Sequence, residues 1–234
     1  MTFKELLSNL SIPTFIMFGL FIVAMIIQLV FAFLEKEKYR RIEKPFCLLT
    51  LAIFACVTLP KNPLIYIGAL LGMIGDILVI VKNKKYFNWG VFSFFLGHLC
   101  YFAQIILMLT SKNADLYLYF IPLGCFVAFY IPLYFFLRKF AKNFAEGLGM
   151  ALYYATLFTL LPFTIIAFIV CGSYMYLGII GASFFVISDL IILYTKYFKK
   201  FKRYDFYIMS TYLIAQSLII LSLVFTLFVG LWEK

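Results

Sequence analysis

The chain has 234 residues, of which 65% are hydrophobic and 13% charged, with a mean hydropathy of +1.05. Soluble domains run about 45–50% apolar and about 25% charged, so a water-soluble globular fold is excluded. The apolar runs are continuous rather than alternating, which excludes a β-barrel as well. Twenty Lys+Arg against ten Asp+Glu give a formal charge of +10, a balance that membrane topology explains before nucleic acid need be invoked.

A helix needs about 20 apolar residues to cross the hydrocarbon core. The pattern predicts an all-α, polytopic membrane bundle of eight transmembrane helices in one domain, 1–234, with no linkers. The first span, 13–34, is too long for a signal-peptide core and ends in Glu35-Lys36-Glu37-Lys38 without a small-residue cleavage site. The second, 45–60, is the shortest, and Pro45, Pro60 and Pro63 punctuate its ends. The third and fourth are expected at 63–81 and 88–110, and the fifth and sixth at 115–137 and 148–171. The last two fall at 174–195 and 205–231. Short connections predict antiparallel neighbours throughout.

The basic residues divide unevenly between the two ends of these helices. Lys36, Lys38, Arg40, Arg41 and Lys44 follow helix 1, and Lys82, Lys84 and Lys85 follow helix 3. Arg138, Lys139 and Lys142 follow helix 5; Lys196, Lys199, Lys200, Lys202 and Arg203 follow helix 7. The other end has only Lys4, Lys61, Lys112 and Lys234. The expectation is that the odd-numbered loops are cytoplasmic and both termini lie on the opposite face. Trp89, Tyr194, Tyr197, Tyr204 and Tyr207 would mark the inner boundary, and Tyr66, Tyr117, Tyr119, Tyr174, Tyr176 and Trp232 the outer one. A bacterial plasma membrane fits this topology, and an internal eukaryotic membrane is equally compatible.

The five cysteines, Cys47, Cys56, Cys100, Cys125 and Cys171, are odd in number and form no CxxC pair. They read as small core residues rather than a disulfide or metal framework. No GxSxG, HExxH or phosphate-binding loop is present, so serine hydrolase and zinc protease chemistry are unsupported.

Two acidic residues sit where they should not. Asp76 and Asp189 lie well inside apolar spans, where an ionisable group is costly and normally faces a polar interior or does chemistry. Counted along their helices, they lie about 9 and about 10 Å from Lys82 and Lys196 respectively, a matching depth. The runs Gly75-Asp76 and Ser188-Asp189 echo each other near half the chain apart, compatible with two four-helix parallel repeats. His98, the only histidine, lies about 16 Å into helix 4 from Phe87. Tyr212 and Gln216 lie in the same half of helix 8. Helices 3, 4, 7 and 8 are therefore expected to surround one cavity.

Two nearby carboxyl groups in a low dielectric do not both ionise easily. One can hold a proton while the other stays anionic. That division suits a reaction through an oxocarbenium-like cation, in which the acid protonates and the carboxylate stabilises the cation and holds the attacking water. An intramembrane aspartyl protease also needs two membrane aspartates, although such enzymes carry GxGD and YD pairs, whereas here Met73 precedes Gly75 by two and Ser188 precedes Asp189. A proton-coupled transporter would use Asp76, His98 and Asp189 as a relay.

Five elements resemble the YhhN-like lysoplasmalogenase family of integral membrane proteins. They are Lys44-Pro45 opening helix 2; Gly75-Asp76-x-x-Val79; Phe92-x-x-Phe95-x-Gly97-His98-x-x-Tyr101; Gly181-Ala182-x-x-Phe185-x-x-Ser188-Asp189-x-x-Ile192; and Tyr212-x-x-Ala215-Gln216. The family's helix-6 tyrosine corresponds to Tyr153 or Tyr154. The resemblance implies an alkenyl ether hydrolase that cleaves the sn-1 vinyl-ether bond of lysoplasmalogens. Its products would be a fatty aldehyde and glycerophosphoethanolamine or glycerophosphocholine, and no cofactor is implied. Asp76, Asp189 and His98 would be catalytic. Lys44, Tyr101, Tyr153, Ser188, Tyr212 and Gln216 would bind or support the substrate, with the phosphate near Lys44 and also Lys82 or Lys196. The expected partner is a lysophospholipid in the membrane, with neither nucleic acid nor an obligatory protein partner.

Overall fold

In the computed structural model, residues 5, 8–81, 84–172 and 174–232 are described. Lys4, Lys82, Lys234 and the side chains of Lys84, Lys85 and Trp232, all used in the charge and boundary arguments above, lie outside that description. Among the described residues the fold is all-helical, with eight long helices: α1 (Ile12–Phe33), α2 (Glu37–Thr58), α3 (Pro63–Ile80), α4 (Lys84–Ser111), α5 (Tyr117–Leu137), α6 (Phe144–Cys171), α7 (Met175–Tyr197) and α8 (Tyr204–Trp232). Seven are long and apolar enough to cross a membrane, which makes the chain an integral membrane protein.

The exception is α2, and it is where the sequence expectation needs correcting. Its helix begins at Glu37, not at Pro45, so Pro45 lies inside the helix rather than at its start. The extra turns are charged. They are held by an Arg41–Glu37 pair one turn apart and by Arg40, whose guanidinium meets Asp205 of α8 at 3.2 Å. These ion pairs carry the helix through a proline that removes one backbone donor. α4 and α6 likewise begin four residues ahead of their apolar runs. Asn143 caps α6, its side chain accepting from the Glu146 amide at 2.8 Å, while the Glu146 carboxylate accepts from the amide of Lys142, the residue before the cap, at 3.1 Å.

Sequential helices pack as antiparallel neighbours, with one exception. α5 does not pack extensively on α4; it lies on the outside of α6, and α6 packs against α4 in its place. Phe102 of α4 meets Phe163 of α6 edge-on at 5.1 Å, and Phe129 of α5 meets Phe158 of α6 at 5.8 Å. α6 and α8 form the buried centre, whereas α1 and α5 are peripheral.

The closest approaches are α3 on α4 and α7 on α8. A Cβ added to Gly97 would lie 3.0 Å from the Gly68 carbonyl oxygen, and one on Gly181 would lie 2.9 Å from the Ala215 carbonyl oxygen. In lipid, close backbone packing at small residues substitutes for the hydrophobic driving force. Gly68 and Gly181 each precede their aspartate by eight residues. The helix pairs repeat too: α1–α2 corresponds to α5–α6, α2–α3 to α6–α7, α3–α4 to α7–α8 and α2–α8 to α6–α4. The correspondence stops at α1 against α8, which has no comparable match in α5 against α4.

Candidate active site

The glycine seams bring the membrane aspartates inward. Asp76 of α3 is fully buried and Asp189 of α7 is 4% exposed, and both line one cavity of about 130 Å³. The expected set of helices, α3, α4, α7 and α8, does surround it, and α2 and α6 complete the wall through Lys44, Met150, Tyr153 and Tyr154.

Asp76 is clamped from two directions. The Lys44 ammonium of α2 lies 2.8 Å from one carboxylate oxygen, and the Tyr212 hydroxyl of α8 donates to the other at 3.2 Å. Lys44 also sits 5.5 Å from the Tyr212 ring centroid. An ammonium this deep is held by a buried anion, since an unpaired charge there would be very costly. Lys44, expected near a lipid phosphate, is thus engaged with Asp76. Asp189 has a different environment. The Tyr153 phenol of α6 lies against it, Lys44 acts on it electrostatically, and no ion pair to Asp189 is present among the described residues.

The remaining candidates stand one layer back. His98 is buried, and its Nδ1 lies 2.7 Å from the Phe94 carbonyl oxygen one turn earlier. A carbonyl can only accept, so Nδ1 carries the proton and Nε2 is a bare acceptor in the neutral ring. Nε2 has no hydrogen-bond partner among the described residues. The ring packs edge-on against Phe185, Tyr153 and Tyr101 at 4.8, 6.2 and 6.4 Å. His98 therefore touches the tyrosine beside Asp189, not a carboxylate. Tyr101, packed over Gly68, donates to Gln216 Oε1 at 3.0 Å and so ties α4 to α8. Ser188 donates to the Ile208 carbonyl at 3.2 Å and ties α7 to α8. These two bonds fix the wall behind the carboxyls.

Of the two tyrosines that matched the family position, both line the cavity, and Tyr153 is the one against Asp189. The additional lining residues Phe87, Ile208 and Met209 are apolar and carry no distinguishing sequence signal. Lys196 also lines the cavity, with its ammonium 4.2 Å from the Phe87 ring centroid.

A second, larger cavity of about 440 Å³ opens between the first turns of α4 and α6 and shares Phe87, Val91, Met150, Tyr153 and Lys196 with the first. Both lie at the bundle end where the loops after α1, α3, α5 and α7 emerge. No cluster of His, Cys, Asp or Glu able to hold a metal ion occurs among the described residues.

This set of membrane helices, with two buried aspartates beneath a basic end, defines a polytopic membrane protein with a polar interior site. The chain belongs to the YhhN family, whose family model matches residues 39–223. That span includes Lys44, both aspartates, His98, Tyr153, Tyr212 and Gln216. No curated protein and no solved structure matches the chain. The family match lends no support to the transporter or aspartyl-protease readings.

Proposed function

We propose that this protein is a membrane-embedded hydrolase of the vinyl-ether bond in lysoplasmalogens, and that Asp76 and Asp189 divide the work between them. The observation that supports this most directly is the shared cavity in which one carboxyl is ion-paired and the other has no ion pair among the described residues. Asp76, clamped by Lys44 and Tyr212, is the anion. Asp189, beside a phenol and with no ion pair among the described residues, is the proton donor.

The reaction begins when the Asp189 carboxyl gives its proton to the distal alkene carbon. The ether oxygen stabilises the carbon left electron-poor, forming an oxocarbenium ion. The Asp76 carboxylate lowers the energy of this cation, and a water adds to the carbon bearing the ether oxygen. That water's proton returns to the Asp189 carboxylate. The hemiacetal then collapses, its hydroxyl proton passing to the glycerol oxygen as the carbon–oxygen bond breaks, and releases a fatty aldehyde. One water is consumed and the acid is regenerated. Positioned proton transfer of this kind contributes about 10²–10⁴-fold to a rate.

Both cavities sit at one end of the bundle and one opens beside lipid-facing Phe92, which favours a substrate drawn from the membrane over one carried across it. In this reading the basic end faces the cytoplasm. The test is aldehyde release from a lysoplasmenyl lipid by purified protein. Asp76→Asn and Asp189→Asn should each lose at least roughly 10²-fold in turnover. Near-normal turnover in either ends the proposal.

A further inference from the structure

We infer that the groove between α4 and α6 admits a single-chain phospholipid sideways from the bilayer, with Lys196 and Glu146 reading a headgroup that carries both signs of charge. The groove is divided by chemistry along its length. Phe92, Phe95 and Leu152 form an apolar stretch, while Asn88, Glu146 and Lys196 gather at the end nearer the loops. Among the described residues lining this mouth, Glu146 is an anion and Lys196 a cation, and the two signs together match an ammonium and a phosphate in one molecule. The Glu146 carboxylate is fixed there by its bond from the Lys142 amide, at 3.1 Å. The Lys196 ammonium sits over Phe87, whose ring belongs to both cavities.

Depth supports the same occupant. Asp189 lies seven residues from Lys196 on α7, and Tyr153 lies seven residues from Glu146 on α6. Each separation is about 10 Å of helix rise, which leaves room for a linker of a few bonds between the headgroup and the inner cavity. Tyr153 borders both spaces, together with Phe87, Val91, Met150 and Lys196.

This inference deepens the hydrolase reading, but its binding step can be measured apart from turnover. The probe is an acyl lysophosphatidylcholine with a fluorescent tail, bound at equilibrium to protein in nanodiscs; it lacks a vinyl ether and cannot undergo the proposed reaction. Gly149 lines the groove, and a Cβ there meets nothing within 4 Å. Gly149→Phe therefore projects a ring into the groove from an open backbone position, and binding should fall at least tenfold while the thermal midpoint is kept. Should Phe disturb folding, Gly149→Leu serves the same purpose. Glu146→Gln keeps the cap acceptor and removes the charge. It should weaken lysophosphatidylcholine roughly three- to tenfold and leave lysophosphatidic acid, which lacks the ammonium, unaffected. Lys196→Gln should weaken both. Wild-type binding in a folded Gly149 variant, or equal weakening of both lipids by Glu146→Gln, would overturn the inference. Loss of binding in Gly149→Phe alongside a wild type that releases no aldehyde would instead retain the groove and remove the hydrolase reading.

Discussion

Lys44 and Asp76 form an ion pair at 2.8 Å, with the carboxyl fully buried and the lysine side chain 14% exposed. The pair joins α2, the one long helix outside the seven candidate membrane spans, to the helix that carries Asp76. Truncating one partner leaves the other as an uncompensated buried charge, which typically costs about 3–5 kcal/mol. Lys44→Met should therefore destabilise the protein by about that amount. Adding Asp76→Asn to Lys44→Met should recover most of the loss, because a neutral amide no longer needs a counter-ion. Thermal unfolding in detergent of the two single variants and the double variant completes the cycle. Additive losses would mean that the two groups do not interact.

The positions of Asp76 and Asp189 were legible because an acid in an apolar run is conspicuous at any level of inspection. Their convergence was legible in part, since their matching depth came from counting residues. The Lys44–Asp76 contact was not legible, because Pro45 reads locally as a helix start. The Arg40–Asp205 and Arg41–Glu37 pairs, one of them reaching a segment 165 residues away, anchor the charged start of α2 at Glu37. The position of α5 was hidden for a similar reason: a short loop fixes sequence neighbours but not which of two apolar faces a helix will choose.

His98 separates packing from chemistry in a single substitution. Its ring belongs to an aromatic cluster with Phe185, Tyr153 and Tyr101, and its Nε2 has no hydrogen-bond partner among the described residues. An unsatisfied buried polar atom costs about 1–3 kcal/mol. His98→Phe retains an aromatic ring and removes that atom, so the thermal midpoint should be kept or rise. Aldehyde release should nonetheless fall, since the ring nitrogen beside Tyr153 is lost. A variant as stable and as active as wild type would show that His98 only packs.

The two glycines Gly181 and Gly149 should respond in opposite directions to the same change. A methyl on Gly181 meets the Ala215 carbonyl oxygen, the Ile219 amide nitrogen and the Ile219 side chain, all at 2.9 Å. Two of those atoms are backbone, so α7 and α8 must separate, and overpacking of this kind costs about 1–3 kcal/mol. Gly149→Ala meets open space and gains helix propensity, up to about 1 kcal/mol. Unfolding midpoints of the two alanine variants should therefore lie on opposite sides of wild type. A Gly181→Ala protein as stable as the parent would mean that the α7–α8 seam is looser than described.

The proposed orientation can be checked with the same loops that suggested it. Lys61 and Lys112 mark one end of the helices, Lys139 and Lys199 the other. With the five native cysteines replaced by alanine or serine, single cysteines at these four positions can be labelled by a membrane-impermeant maleimide. In intact cells, cysteines at 61 and 112 should react, and those at 139 and 199 should react only after the membrane is broken. The opposite pattern would place the carboxyl cavity beneath the outer headgroups, and the substrate would then be drawn from the outer leaflet. Dual labelling at either end would mean that the charge asymmetry does not set a single topology. Because the groove mouth lies at the end marked by Lys139 and Lys199, this measurement also decides which leaflet supplies the lipid.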